Sequence, residues 1–185
     1  MCVRSDRRIQ LIESWFQAHE DGEFAILPAE HATAILSDPE AARTLVYTTK
    51  AECAARLAGS CGFAEPVSMV SRYGLPSASD AALLESLADR TACVFFGDAD
   101  PPDILVFAWL EQHVPIQWRG VSDAVLLQFG HRDLKAISIP MSAAEKDTVP
   151  LLNDLCPDFR KLLGPQCAAI LERGFKVELE AVLQC

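Results

Sequence analysis

The spacing of apolar residues changes near position 42. Before it, Ile9, Leu11, Ile12, Trp15 and Phe16 recur at the interval of one helical face. Ser5 is placed to cap that helix and Asp21-Gly22 to end it. Pro28 opens a second helical stretch over residues 28–36, which Ser37-Asp38-Pro39 closes. Both are expected to pack against the rest of the chain.

Beyond Ala42, short apolar runs alternate with helical ones. Residues 44–48 (TLVYT), 66–70 (PVSMV), 91–96 (TACVFF) and 115–118 (PIQW) read as strands. The first is followed by a helix through Ala51, Cys53, Ala54, Ala55 and Leu57. A Tyr73-Gly74-Leu75-Pro76 turn ends the second. Ser77 and Asp80 then form a capping box for a helix bearing Leu83, Leu84 and Leu87. A nearly all-apolar helix, Ile104 to Leu110, follows the third strand, and Ser122 to Leu127 follow the fourth. Residues 134–139 read as a fifth strand. From Ser142 to Cys185 the pattern is helical, broken at Pro150, Pro157 and Gly164-Pro165.

Strands separated by single helices call for right-handed crossovers and a parallel sheet. Strands that are apolar throughout, rather than alternating, belong in a sheet covered on both faces. The expected fold is α/β, a mainly parallel four-stranded sheet with helices on both faces. Three segments follow: a helical N-terminal extension (1–42), the core (43–141) and a C-terminal helical segment packed on it (142–185). The chain holds no internal repeat or low-complexity tract.

Composition narrows the classes. Of 185 residues 50% are hydrophobic and 23% charged, which excludes a disordered chain. A net charge of −10 opposes nonspecific attachment to nucleic acid or anionic lipid, though not a local basic patch. No apolar run reaches the roughly 18 residues of a membrane span, and the N-terminal stretch lacks the apolar core of a secretory signal. Seven cysteines form no C-x-x-C pair, so neither a zinc cage nor a disulfide framework is indicated. A cytoplasmic protein with reduced thiols is expected.

Candidate chemistry concentrates after the third strand. Gly97-Asp98-Ala99-Asp100-Pro101-Pro102-Asp103 sets three carboxylates within six residues, with no Lys or Arg between Arg90 and Arg119. Ligand sites of parallel α/β sheets form at the carboxyl ends of strands. Asp98, Asp100 and Asp103 are therefore candidate ligands for Mg2+ or Mn2+, hard cations that take one or two carboxylates plus waters and substrate phosphates. Helix capping is the competing reading: Asp100 at N-cap, Pro101 at the first helical position and Asp103 at the third suit a helix start. Capping alone leaves Asp98 without a role.

Elsewhere the signals are weaker. The four histidines (19, 31, 113 and 131) form no H-x-x-x-H pair, and Gly59-Ser60-Cys61-Gly62 reads as a helix stop. Neither a Walker loop nor a G-x-G-x-x-G turn occurs. Of Lys50, Arg72, Arg119, Arg132 and Lys135 several follow strand ends, where a basic rim could meet DNA; solvated surface charge is the more ordinary explanation of them.

Phe96-Gly97-Asp98-Ala99-Asp100-Pro101 after an apolar strand resembles the Asp-x-Asp motif of Toprim domains. The GD-x-DP form is similar to that of type IIB topoisomerase A subunits and the Wadjet nuclease subunit. The resemblance runs over residues 43–185. Within it, residues 44–57 match the first strand and helix, and Ser71 to Pro76 a turn before the second helix. Residues 116–120 match the strand and glycine that come next, and Gly174 to Glu180 a Lys-x-Glu helix. It implies a Toprim-like fold, a role in nucleic-acid metabolism or defence, Mg2+-dependent phosphodiester chemistry at Asp98 and Asp100, and a protein partner in a multi-subunit system. Toprim enzymes add a glutamate at the end of the first strand; here Thr48 matches that place, and Glu52 is the nearest catalytic substitute. The first 42 residues hold no tyrosine and are too short for the topoisomerase tyrosine domain. These departures leave a second reading open, a catalytically degenerate Toprim-like domain that acts as a non-enzymatic interaction or scaffold protein.

Overall fold

The computed structural model describes residues 3–18, 33–35, 43–50, 53, 67–72, 74–131 and 133–183. In chain order these form α1 (Val3–Ala18), β1 (Thr33–Ile35), β2 (Thr44–Thr48), β3 (Val67–Ser71), α2 (Ala78–Ala88), β4 (Ala92–Phe96), α3 (Pro101–Leu110) and β5 (Ile116–Trp118). Then come α4 (Asp123–Gln128), α5 (Leu134–Ile137), β6 (Ser138–Pro140), α6 (Ala143–Thr148), α7 (Leu152–Leu155), α8 (Phe159–Leu163), α9 (Pro165–Glu172), β7 (Phe175–Val177) and α10 (Leu179–Leu183).

The main sheet has the order β1-β3-β2-β4-β5. Its four strands β3, β2, β4 and β5 are mutually parallel, and β1 adds an antiparallel edge. In β2, β3 and β4 the last four residues are all buried. Since successive side chains point to opposite faces, both faces are covered. This is the helix-flanked, mainly parallel α/β architecture that the sequence predicts, and it is consistent with a Toprim-like fold.

Topology places the site. The chain leaves β2 for β3 on one side, then returns to β4 on the other. Thr48 and Phe96 are register partners, so the loops leaving β2 and β4 start side by side and diverge. Such a switch point opens a crevice at the carboxyl ends of the two strands.

Helix α3 forms the centre of the second layer. All ten of its residues are buried, because α1, α6 and α7 cover the side turned away from the sheet. Two indoles fasten α1: Trp15 Nε1 donates to Thr148 Oγ1 at 2.9 Å, and Trp109 Nε1 donates to Glu13 Oε1 at 3.2 Å. With Ile12, Trp15 and Phe16 in the core, α1 is an integral layer of the fold. The C-terminal segment contributes Phe159, Leu163 and Leu171 to the same core.

Four local expectations are corrected. Helix α1 begins at Val3, so Ser5 lies inside it and does not cap it. Within residues 28–36, Thr33–Ile35 is strand and not helix; β-branched Thr33 and Ile35 suit a strand, and pairing with β3 outweighs the helical pattern. Residues 134–139 are split: Asp133 Oδ1 accepts from Lys135 N at 3.0 Å and starts α5, which leaves only Ser138–Pro140 to β6. That strand pairs with β7 in a separate two-stranded sheet, so the C-terminal segment is not all helical and Lys176 lies on a strand. The expected ends at Asp21-Gly22 and Ser37-Asp38-Pro39 lie outside the described residues, as does the helix through residues 51–57 except for Cys53, which is helical and buried.

Candidate functional site

Phe95 and Phe96 carry β4 into the core, and the chain then turns at Gly97 into the acidic segment. Asp100 has extended backbone angles, φ −140° and ψ 162°, and its Oδ1 accepts from Asp103 N at 2.9 Å, so it is the N-cap of α3. Asp103 folds back over the strand end. Its Oδ2 accepts from Asp98 N at 2.7 Å and from Thr49 Oγ1 at 2.9 Å. Only glycine at position 97 leaves room for this, since a Cβ would lie 2.6 Å from Asp103 Oδ2. Gly120 is needed for a similar reason: Val121 N donates to Gly97 O at 2.9 Å, and a Cβ on Gly120 would strike the Gly97 backbone.

Capping left Asp98 unexplained, and its partners supply the explanation. Asp98 Oδ1 accepts from Leu179 N at 2.8 Å, capping the first turn of α10 from 81 positions away. Its Oδ2 lies 2.7 Å from the Lys50 ammonium, which also reaches Glu180 at 3.4 Å. A main-chain bridge beside it, Ala99 N to Val177 O at 2.9 Å, holds β7 against the turn.

A cavity of about 150 Å³ opens beside these groups. Thr49, Lys50, Asp98, Asp100 and Asp103 line it from the sheet side, Phe16 and Val106 supply apolar wall, and Glu145, Lys176 and Glu178 close it from the C-terminal segment. Glu145 is buried: Oε2 accepts from Ser142 N at 2.7 Å as half of a capping box, and Oε1 pairs with Lys176 Nζ at 2.8 Å.

Burial governs the electrostatics. It raises the Asp98 carboxyl to about 7, with the Asp103 charge adding to the rise and Lys50 opposing it. Burial also raises Asp100 well above the usual carboxylate range, again with help from Asp103 and Asp98, and it raises Asp103. For Lys50, burial works downward but is outweighed by the charge and hydrogen bond of Asp98, so the ammonium is held firmly protonated. Lys176 is likewise raised: burial opposes the rise, while Glu145 and Asp100 drive it.

Mg2+ is the ion that this turn predicts, and the donor set does not fit it as arranged. Among the described residues no group of three His, Cys, Asp or Glu side chains is placed to hold a metal. Asp98 spends both oxygens on Leu179 N and Lys50, Asp103 Oδ2 is taken twice, and Asp100 Oδ1 caps α3. The cation paired with Asp98 is the protein's own Lys50 ammonium.

Asp98, Asp100, Asp103 and Lys50 are thus brought together. Arg72 is not on a rim: it is buried, with Nε donating to Leu75 O at 3.2 Å and Nη1 3.4 Å from Asp80 Oδ2. Arg119 and Lys135 are exposed, whereas Glu52 and Arg132 lie outside the described residues. Thr48 is fully buried, and its Oγ1 accepts from Lys50 N at 3.0 Å. Sequence reasoning missed Thr49, Glu145, Glu180 and the Leu179 amide. Only Glu145 carried a local signal, the Ser-x-x-Glu box that opens α6.

No protein-family model matches the chain, and no curated protein matches it in sequence. Fold and site together define an α/β domain with an acidic cavity at the switch point of its parallel sheet. No helix among the described residues is long and apolar enough to cross a membrane.

Proposed function

We propose that this chain is a catalytically degenerate Toprim-like domain, a non-enzymatic interaction or scaffold module in nucleic-acid metabolism or defence. One observation carries the reading: both oxygens of Asp98 are spent inside the protein, on the Leu179 amide and the Lys50 ammonium. A metal-dependent phosphodiester site needs those oxygens for its ion. Two further features agree, threonine at the matching position of the first strand and the buried head of Arg72. In this module the three aspartates knit β4, α3 and α10 into one rigid body. A protein partner in a multi-subunit system would then carry the chemistry or the DNA contacts.

The Asp98–Asp100 pair at a switch point favours a second reading, Mg2+-dependent phosphodiester chemistry, which would require Lys50 to leave Asp98. Calorimetric titration of Mn2+ into the wild type and into D98A/D100A separates the two. The scaffold reading expects no saturable binding in either, and no cleavage of single- or double-stranded DNA. Saturable wild-type binding that the double substitution abolishes would sink it.

A further inference from the structure

We propose that the groove between α1 and α7 docks an acidic, apolar-anchored segment of the protein partner, with Arg7 and Leu11 as its principal contacts. The inference names the contact chemistry of that partner and rests on the non-enzymatic reading above, which the Mn2+ titration tests separately.

Shape is the first argument. Helices α1 and α7 pack together, and a groove of about 640 Å³ opens beside them. Arg7, Arg8 and Leu11 line it from α1, and Asp154, Leu155 and Pro157 line it from α7 and the turn that follows. Helix α1 buries Ile12, Trp15 and Phe16 in the core, yet Leu11 stays 48% exposed. Leu151, just ahead of α7, is 45% exposed. Arg7 and Leu11 stand four positions apart on α1, so one ridge of the helix presents a guanidinium and an apolar side chain in succession. A peptide laid along that ridge meets both, the geometry by which helical segments enter grooves.

Charge is the second argument. The chain carries −10, and the switch-point cavity reflects it, with five carboxylates to two ammonium groups along its wall. The groove beside α1 reverses that balance, with two arginines to one aspartate. Arg8 is half-buried and its charge also acts on Glu111, whereas Arg7 is exposed. A guanidinium beside an exposed leucine complements a carboxylate beside an apolar side chain. Nucleic acid fits less well. Two cations on so acidic a chain neutralise little of a phosphate backbone, and the residues lining the groove include no aromatic ring for a base.

The test is selection of phage-displayed random peptides of about 15 residues on the full chain. Fluorescence anisotropy then measures the enriched peptides against the wild type, R7E, L11S and D154N, each checked for folding by circular dichroism. The expected peptides combine Asp or Glu with an apolar anchor. R7E and L11S should each weaken them at least about fivefold, and D154N, which removes the carboxylate of the groove, should tighten them. Exchanging the peptide carboxylates for amides should weaken binding to the wild type and change little in R7E. If R7E fails to fold, L11S and the amide peptides decide. No enrichment of acidic peptides, or affinities that R7E and L11S leave unchanged, overturns the inference; the non-enzymatic reading then stands or falls on the Mn2+ titration alone. Self-association in sedimentation that R7E abolishes assigns the groove to a second copy of the chain and overturns the inference. So does binding of labelled oligothymidylate that R7E weakens, which assigns the groove to nucleic acid.

Discussion

Lys50 Nζ and Asp98 Oδ2 lie 2.7 Å apart, joining the ends of two adjacent parallel strands by an ion pair of which the carboxylate is almost wholly buried. Cutting one side of such a pair strands the other charge. D98A also uncaps the Leu179 amide, so it should lose about 3–5 kcal/mol of stability in urea unfolding. D98N can still accept from that amide and should lose less. Equal losses in the two variants would mean that the cap contributes nothing.

Acidity should affect this protein in an unusual direction. The folded carboxyl of Asp98 titrates near 7, above its unfolded value, and those of Asp100 and Asp103 are raised as well. A raised carboxyl binds its proton more tightly in the native state. Its contribution is therefore fully present below the unfolded value near 4 and is lost as pH rises toward 7. Urea midpoints should fall between pH 5 and 7, with a slope of up to about 1.4 kcal/mol per pH unit for each proton involved. In D98N that slope should shrink; an unchanged slope would place the titration elsewhere.

Tyr47 offers a gain. Its ring stacks on Phe95, but its buried hydroxyl has no hydrogen-bond partner among the described residues, and burial holds its pKa high. Y47F removes an unpaired polar atom and keeps the packing, so stability should rise by about 1 kcal/mol. A loss in thermal unfolding would reveal a partner for the hydroxyl.

At Gly120 any side chain meets backbone. G120A must push the exits of β4 and β5 apart, since the added carbon collides with Gly97. Unfolding should show a loss of about 1–3 kcal/mol. A neutral result would mean that the two exits are loosely held.

Deletion of residues 1–18 tests whether the N-terminal helix is an appendage. Without it, α3 loses the cover given by Ile12, Trp15 and Phe16 and the Trp109–Glu13 hydrogen bond. The shortened chain should bind hydrophobic dyes and lose cooperative melting. A sharp transition would show that the remaining layers suffice.

The strands were legible because β2, β3 and β4 are buried on both faces and therefore apolar throughout, a signal that needs no partner to be read. Helix caps at Ser77 and Asp100 were legible because each bond spans only a few residues. What failed was decided over longer distances. Thr33–Ile35 became a strand because β3 offered an edge, and Phe175–Val177 because β6 did. At the site, Asp98, Asp100 and Asp103 could be singled out from their density on one turn. Their partners could not: Thr49 and above all a main-chain amide arrive from other segments, and an amide leaves no trace in side-chain identity.

The bond from Leu179 N to Asp98 also has a temporal side. The carboxylate and its cap are separated by 81 positions, which a ribosome covers in several seconds. Throughout that interval the acidic turn has been synthesised but lacks the amide that accommodates one of its negative charges. Lys50, made earlier, is the counter-charge at hand from the start. The acidic turn is thus made with its counter-charge already in the chain, and the cavity can be closed only after residue 179 has been added.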